Sequence, residues 1–384
     1  MHCSVIGLIM DNLFYTYRHD HDVVFLQQWT GKFLESLNFV ECHADLKNCH
    51  KKIILLNVVD ANCHIDLLRQ LIKQKNYIIF FQLGEVYSPD LAAIFVDCPE
   101  AKEFSFILGG EHKNLDCVAI DFYYFSTLTD PNIMRAQLDT TDQIYQTLNK
   151  PYKYLYLNGA DRLHRNLLWK SLENTNQLEY ALKSYLGYAY ESDHVCDIPL
   201  TGLPKEYESP YLDTDKMSTY SNNTRNYNAF KVDCYTADHH VDSHIVPLQY
   251  ISTYFSVVAE TIVNPQFTFV TEKTFKPLLA GHPFIVLSSP GFYKKLHRLG
   301  FKTFNGIIDE SFDDENDLNK RIELINIEIE KLCSSDLPDF LKKTKNICLY
   351  NQQHYINNRH KIFQSNHYEL NNFFKRIVDK FVSS

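Results

Sequence analysis

Two near-continuous apolar runs, Lys52–Val59 (KIILLNVV) and Tyr77–Gln82 (YIIFFQ), stand on either side of a stretch with helical spacing, His64–Lys75. A strand that leaves one face in water alternates apolar and polar residues. A run that is apolar throughout has to be covered on both faces. Such runs separated by helices specify a parallel sheet with helices on its two sides. Residues 3–10, Leu91–Val96, Phe104–Leu108 and Val118–Phe125 are further predicted strands. Val23–Leu37 and Ile133–Leu148 are predicted helices. The expected first domain, residues 1–150, is therefore a doubly wound α/β unit.

A second unit is expected over residues 151–356. Lys153–Leu157 (KYLYL) reads as a strand, Asn158–Asp161 as a polar turn, and Arg162 opens a helix with Leu163, Leu167, Leu168 and Leu172 on one face. Residues 187–250 hold Gly, Pro, Ser, Asn and Asp clusters with weak periodicity, so a long irregular insertion is expected, with one strand near Phe230–Tyr235. Tyr254–Ala259 is a buried-strand pattern ending at Glu260 and Thr261. Thr271 is a helix N-cap with Glu272 and Lys273 in the first turn and Gly281 as the stop. Pro283–Leu287 is another short strand. Asp317–Leu332, Pro338–Tyr350 and His360–Val382 read as helices, and residues 357–384 as a terminal helical segment.

Composition narrows the class. With 384 residues, two domains are expected. The formal charge of −9 argues against a nucleic-acid-binding protein held by a general basic surface, while leaving room for a local basic pocket. The ten cysteines include no CxxC pair and read as buried free thiols. The N-terminus MHCSVIGLIMD lacks the basic flank and cleavage signature of a signal peptide, and no apolar run reaches the roughly 18–20 residues that span a bilayer. A soluble, cytoplasmic protein is the expectation, with no transmembrane segment and no nucleic-acid partner.

Three segments carry candidate chemistry. In NGADRLHRNLL (158–168), Arg162 and Arg165 open a helix that follows a strand. Guanidinium groups bind phosphate oxygens in pairs, and a helix N-terminus adds backbone donors. In TEK (271–273), a cation in a helix first turn opposes the helix dipole, which favours a phosphate partner for Lys273. In FFQLGEVYSPD (80–90), Glu85 lies just beyond the carboxyl end of a strand, where α/β proteins place ligand groups. The plain alternatives are solvated arginines, a dipole-favouring Glu272 and an ordinary loop carboxylate. Cys42, His43, Cys49, His50, His239, His240 and His244 lack the spacing of a zinc module. There is no convincing Asp-x-Asp motif, P-loop, G-x-S-x-G elbow or G-x-G-x-x-G fingerprint, so no metal or cofactor is expected.

Taken in order, these segments resemble the α-1,3-fucosyltransferase family. AET, a spacer, FVTEK, a helix and a G-x-P-F-I-V strand are similar to that family's donor motif, a phenylalanine–glutamate–asparagine run followed by an aromatic residue and T-E-K. The resemblance implies two Rossmann-like domains facing across a cleft (the GT-B arrangement) and inverting transfer of fucose from GDP-fucose to an acceptor hydroxyl, on a glycan or another acceptor. It implies that Glu272 and Lys273 contact the nucleotide sugar. Glu260 and Thr261 take the glutamate–asparagine positions, Phe269 the aromatic one. Arg165, followed by Asn166, matches the family's diphosphate-binding arginine, with Arg162 in reserve and Asn158 in the preceding turn. Glu85 matches the catalytic base. Thr261 and Val86 each replace an asparagine, and Phe269 lacks a hydroxyl. Arginine and lysine, rather than a metal, would neutralise the leaving diphosphate. The rivals are a catalytically inactive carbohydrate- or protein-binding module on the same fold, and an epimerase, against which the missing dinucleotide fingerprint counts.

Overall fold

A computed structural model describes residues 13–15, 40–41, 53–58, 64–82, 88–121, 141–160, 162–188 and 247–383. The chain divides into two compact units, Met1–Phe122 with Phe363–Ser384, and Tyr123–Ile362. Each is an α/β unit built on its own parallel sheet, consistent with two Rossmann-like domains. The expected strand at residues 3–10, the helix at Val23–Leu37 and the strand near Phe230–Tyr235 lie outside the described residues.

In the first unit the strands are β1 (Leu13–Tyr15), β2 (Val40–Glu41), β3 (Ile53–Asn57), β4 (Tyr77–Gln82), β5 (Ser105–Leu108) and β7 (Cys117–Ala119), with a short β6 (Glu111–His112) between the last two. The sheet order is β2-β1-β3-β4-β5-β7, and every pairing is parallel. Ile53 to Leu56 and Ile78 to Phe81 are buried without a break, as continuous apolar runs in a doubly covered sheet require. Helix α1 (Ile65–Lys73) buries Leu68 and Leu71 and leaves Asp66 and Arg69 in water.

Leu91–Val96 is not a strand. It lies in helix α2 (Ser88–Asp97). Leu91 and Ile94, three apart, are buried, while Val96 is 77% exposed, a helical rather than an alternating pattern. Pro89 sits in the first turn, where its missing N–H costs nothing. A short apolar run does not by itself separate the two readings.

The second unit contains β8 (Tyr154–Ala160), α3 (Leu163–Asn174), β9 (Ala181–Tyr188), α4 (Pro247–Ile251), β10 (Phe255–Ala259), β11 (Phe267–Thr268), α5 (Glu272–Ala280), β12 (Phe284–Leu287), α6 (Phe292–Arg298), α7 (Leu318–Cys333) and the part of α8 (Leu337–Ser383) that precedes Phe363. The sheet order is β12-β10-β8-β9, all parallel. From β8 the chain first builds outward to β9. It then returns to the other side of β8 to add β10 and β12. The direction of winding thus reverses between β8 and β10, and the carboxyl ends of two such strands are where open α/β sheets place ligands.

Buried rings fix the core beneath that point: Tyr154 stacks on Phe255 and Tyr156 on Trp169. Helix α5 begins and ends where its sequence says. Thr271 accepts a hydrogen bond from the Lys273 amide, and Gly281 takes the left-handed conformation at φ 64°. A Cβ on Gly281 would also come within 2.6 Å of Thr141.

The two helices expected at Pro338–Tyr350 and His360–Val382 are one helix of 47 residues, α8. The intervening polar residues do not break it because they are used. Asn351 brackets Lys302, accepting from its amide and donating to its carbonyl, both at 2.8 Å, and Gln352 donates to Leu279 O at 2.6 Å. Among the described residues no helix is long and apolar enough to cross a membrane.

Candidate functional site

The sequence candidates of the second unit come together at the carboxyl ends of β8 and β10. Strand β8 delivers Asn158, and the chain enters α3 through Arg162, His164 and Arg165. Strand β10 delivers Glu260 and Thr261, and the following loop leads to Thr271, Glu272 and Lys273 at the start of α5.

Glu260 is the centre of this arrangement. It is fully buried. Its Oε1 accepts from the Thr271 amide at 3.1 Å and the Thr274 hydroxyl at 2.5 Å. Its Oε2 accepts from the Thr271 hydroxyl at 2.6 Å and the Thr261 amide at 3.2 Å. Burial pushes the carboxyl above its usual range, while Lys273 and the threonine hydroxyls pull it back. All four partners donate, which suits the ionised form.

The backbone carbonyl of Glu260 accepts from His164 Nε2 at 2.6 Å and from Arg165 Nη2 at 3.3 Å. A carbonyl can only accept, so Nε2 carries the proton of His164. Burial, then the nearby Arg165, with Arg162 and Lys273 adding to the effect, lowers the imidazole to about 3. The ring is therefore neutral at ordinary pH, and Arg162, Arg165 and Lys273 stand near it together with the carboxyls of Glu260 and Glu272.

The two helix N-termini differ. Helix α5 is capped by Thr271 and carries Glu272 in its first turn. Helix α3 has no side-chain cap hydrogen bond and no acidic residue in its first turn. Lys273 reaches back over its own helix end, with Nζ 2.5 Å from Glu272 Oε1 and 2.9 Å from Thr261 Oγ1. Burial pushes the Glu272 carboxyl up, but Lys273, Lys276 and its hydrogen bonds outweigh this and hold it below the usual range.

Beneath α3, Asn158 is buried, and neither of its amide atoms has a hydrogen-bond partner of ordinary geometry. Burial pushes the nearby Tyr156 hydroxyl well up, Asn158 and Arg165 pull it part of the way back, and it donates to Arg165 O at 3.4 Å.

Other candidates stand differently. Phe269 is fully buried and stacks on Phe267. Glu260 contacts protein through every acceptor described above. Arg162 is half-buried at the mouth of α3, whereas Arg165 is buried. Glu85 lies outside the described residues, as do His43, Cys49, His240 and the other sequence-level metal candidates. Sequence reasoning did not single out His164 or Thr274. The signal for Thr274 was its place three residues beyond the Thr271 cap, which turns its hydroxyl toward the same strand end. For His164 the only signal was its position between two arginines.

No known protein-family model matches the chain, and no curated protein matches it either.

Proposed function

We propose that the second unit binds the diphosphate of a nucleotide sugar at the carboxyl ends of β8 and β10, and that the chain is an inverting glycosyltransferase. The observation that carries this reading is the placement of Arg165, Lys273 and the uncapped start of α3 around one strand end, at the point where the direction of winding reverses. The fucosyltransferase-like order of the sequence segments makes GDP-fucose the leading donor and a glycan or other hydroxyl the acceptor.

In the proposed reaction the acceptor hydroxyl attacks the anomeric carbon and Glu85 takes its proton. The bond from that carbon to the phosphate oxygen breaks, and Arg165 and Lys273 stabilise the charge that develops on the departing nucleoside diphosphate. Lys273 would pass from Glu272 to the diphosphate, leaving the Glu272 carboxylate to accept from sugar hydroxyls.

A melting-temperature series with GDP, UDP, ADP and their sugar conjugates tests the class. A ligand that binds only the native state raises the melting temperature by mass action. A rise with one nucleotide family at millimolar concentration supports the reading. No rise with any of them counts against it.

A further inference from the structure

We infer that Glu260 is a positioning residue that couples α3 to α5, so that the first turns of the two helices behave as one unit. The sequence resemblance places this residue on the ligand. The structure gives it different work. An ionised carboxylate offers about four lone-pair sites. The Thr271 amide, the Thr271 hydroxyl, the Thr274 hydroxyl and the Thr261 amide fill four. Its side chain is thereby committed to the start of α5.

The main chain of the same residue is committed elsewhere. Its carbonyl holds His164 and Arg165 of α3, and its amide donates to Leu287 O at the end of β12 at 3.0 Å. One residue thus joins three elements through three different groups. Movement of the α5 end pulls on the carboxylate, and movement of the α3 end pulls on the carbonyl five bonds away.

Substitution by glutamine is a sharp probe. Oε1 faces the Thr271 N–H and Oε2 faces the Thr261 N–H. Either orientation of a glutamine amide therefore sets an N–H against a backbone N–H. Thr274→Val is milder, removing one hydroxyl donor with little change of shape.

The readout is amide hydrogen exchange of the full chain without ligand, in wild type, Glu260→Gln and Thr274→Val. The carboxylate touches only the Thr261 and α5 side, so the informative segment is residues 163–167 of α3. Exchange should quicken there as well as at 271–275, by about tenfold or more in Glu260→Gln and about threefold in Thr274→Val, with α7 unchanged. Quickening confined to 271–275 would overturn the coupling, and so would uniform quickening that includes α7. If Glu260→Gln does not fold, Thr274→Val decides alone, and unchanged exchange at 163–167 then overturns the proposal.

That the coupled unit receives an anion rests on the nucleotide-sugar reading. Repeating the measurement with GDP separates the two. A wild type whose exchange GDP does not alter speaks against that reading, while the ligand-free comparison still judges the coupling.

Discussion

The ammonium of Lys273 lies 2.5 Å from the carboxylate of Glu272, its immediate neighbour in the first turn of α5. The Glu272 side chain is only 9% exposed, and Lys273 is 28% exposed. A lysine in a helix first turn opposes the dipole, and the glutamate offsets that cost. In the proposed function this cation passes to the more highly charged diphosphate.

Lys273→Met keeps the length of the side chain and removes the charge. It should weaken GDP binding by one to two decades, the equivalent of a charge-assisted hydrogen bond at about 1.5–3 kcal/mol. It should also lower the melting temperature, because Glu272 loses its nearest counter-charge. Calorimetric titration with GDP checks the first effect and a melting curve the second. Unchanged affinity would remove Lys273 from the site.

Arg165→Ala should weaken GDP binding more than Arg162→Ala. Arg165 is buried against the Glu260 carbonyl, whereas Arg162 is half-buried at the helix mouth. Loss of one to two decades is expected for Arg165 and less than one for Arg162. Equal small effects would mean that both arginines serve only the helix.

A separate pair of carboxyls gives a pH prediction. Burial raises Glu310 to about 7, against hydrogen bonds from the Thr303 hydroxyl at 2.7 Å and the Phe304 amide at 2.6 Å. Asp313, which accepts from the Tyr293 amide at the start of α6, is raised by burial to about 6. A carboxyl raised in the folded state binds more protons there than in the unfolded chain. Its stabilising contribution is complete below the ordinary carboxyl range and is lost as pH rises through the folded value. For Glu310 that window runs from 4.5 to about 7. Glu310→Gln removes this titration. The melting temperature of the variant relative to wild type should therefore climb across that window and level off above it. A constant difference across the window would contradict the assignment.

Much of this fold is legible in the sequence, for identifiable reasons. Ile53–Leu56 and Ile78–Phe81 announce doubly covered strands because nothing polar interrupts them. The ends of α5 are legible because Thr271 and Gly281 each do what only a few residue types do at helix ends. Leu91–Val96 misleads because a six-residue apolar run fits both periods, and α8 misleads because its polar middle satisfies itself on distant backbone. The protein partners of the Glu260 carboxylate were hidden for another reason. A glutamate at a strand end looks alike whether its carboxylate faces a ligand or three threonines of its own chain, and only the convergence of four donors separates the two.

The proposed chemistry depends on Glu85. An alcohol is a poor nucleophile until its proton is removed, and a positioned carboxylate is typically worth about 10²–10⁴ in rate. Glu85→Gln should leave GDP-fucose binding nearly intact and reduce transfer by at least about two decades. Steady-state transfer assays alongside calorimetry check the split. Near-normal turnover would remove Glu85 from the mechanism.

The central claim is that a nucleoside diphosphate binds at the carboxyl ends of β8 and β10. The most direct measurement is the change in amide hydrogen exchange when GDP is added to the full-length chain. The account predicts slower exchange at residues 158–166 and 260–274, with α7 unaffected. Absence of protection in both segments, or protection confined to other parts of the chain, would contradict it.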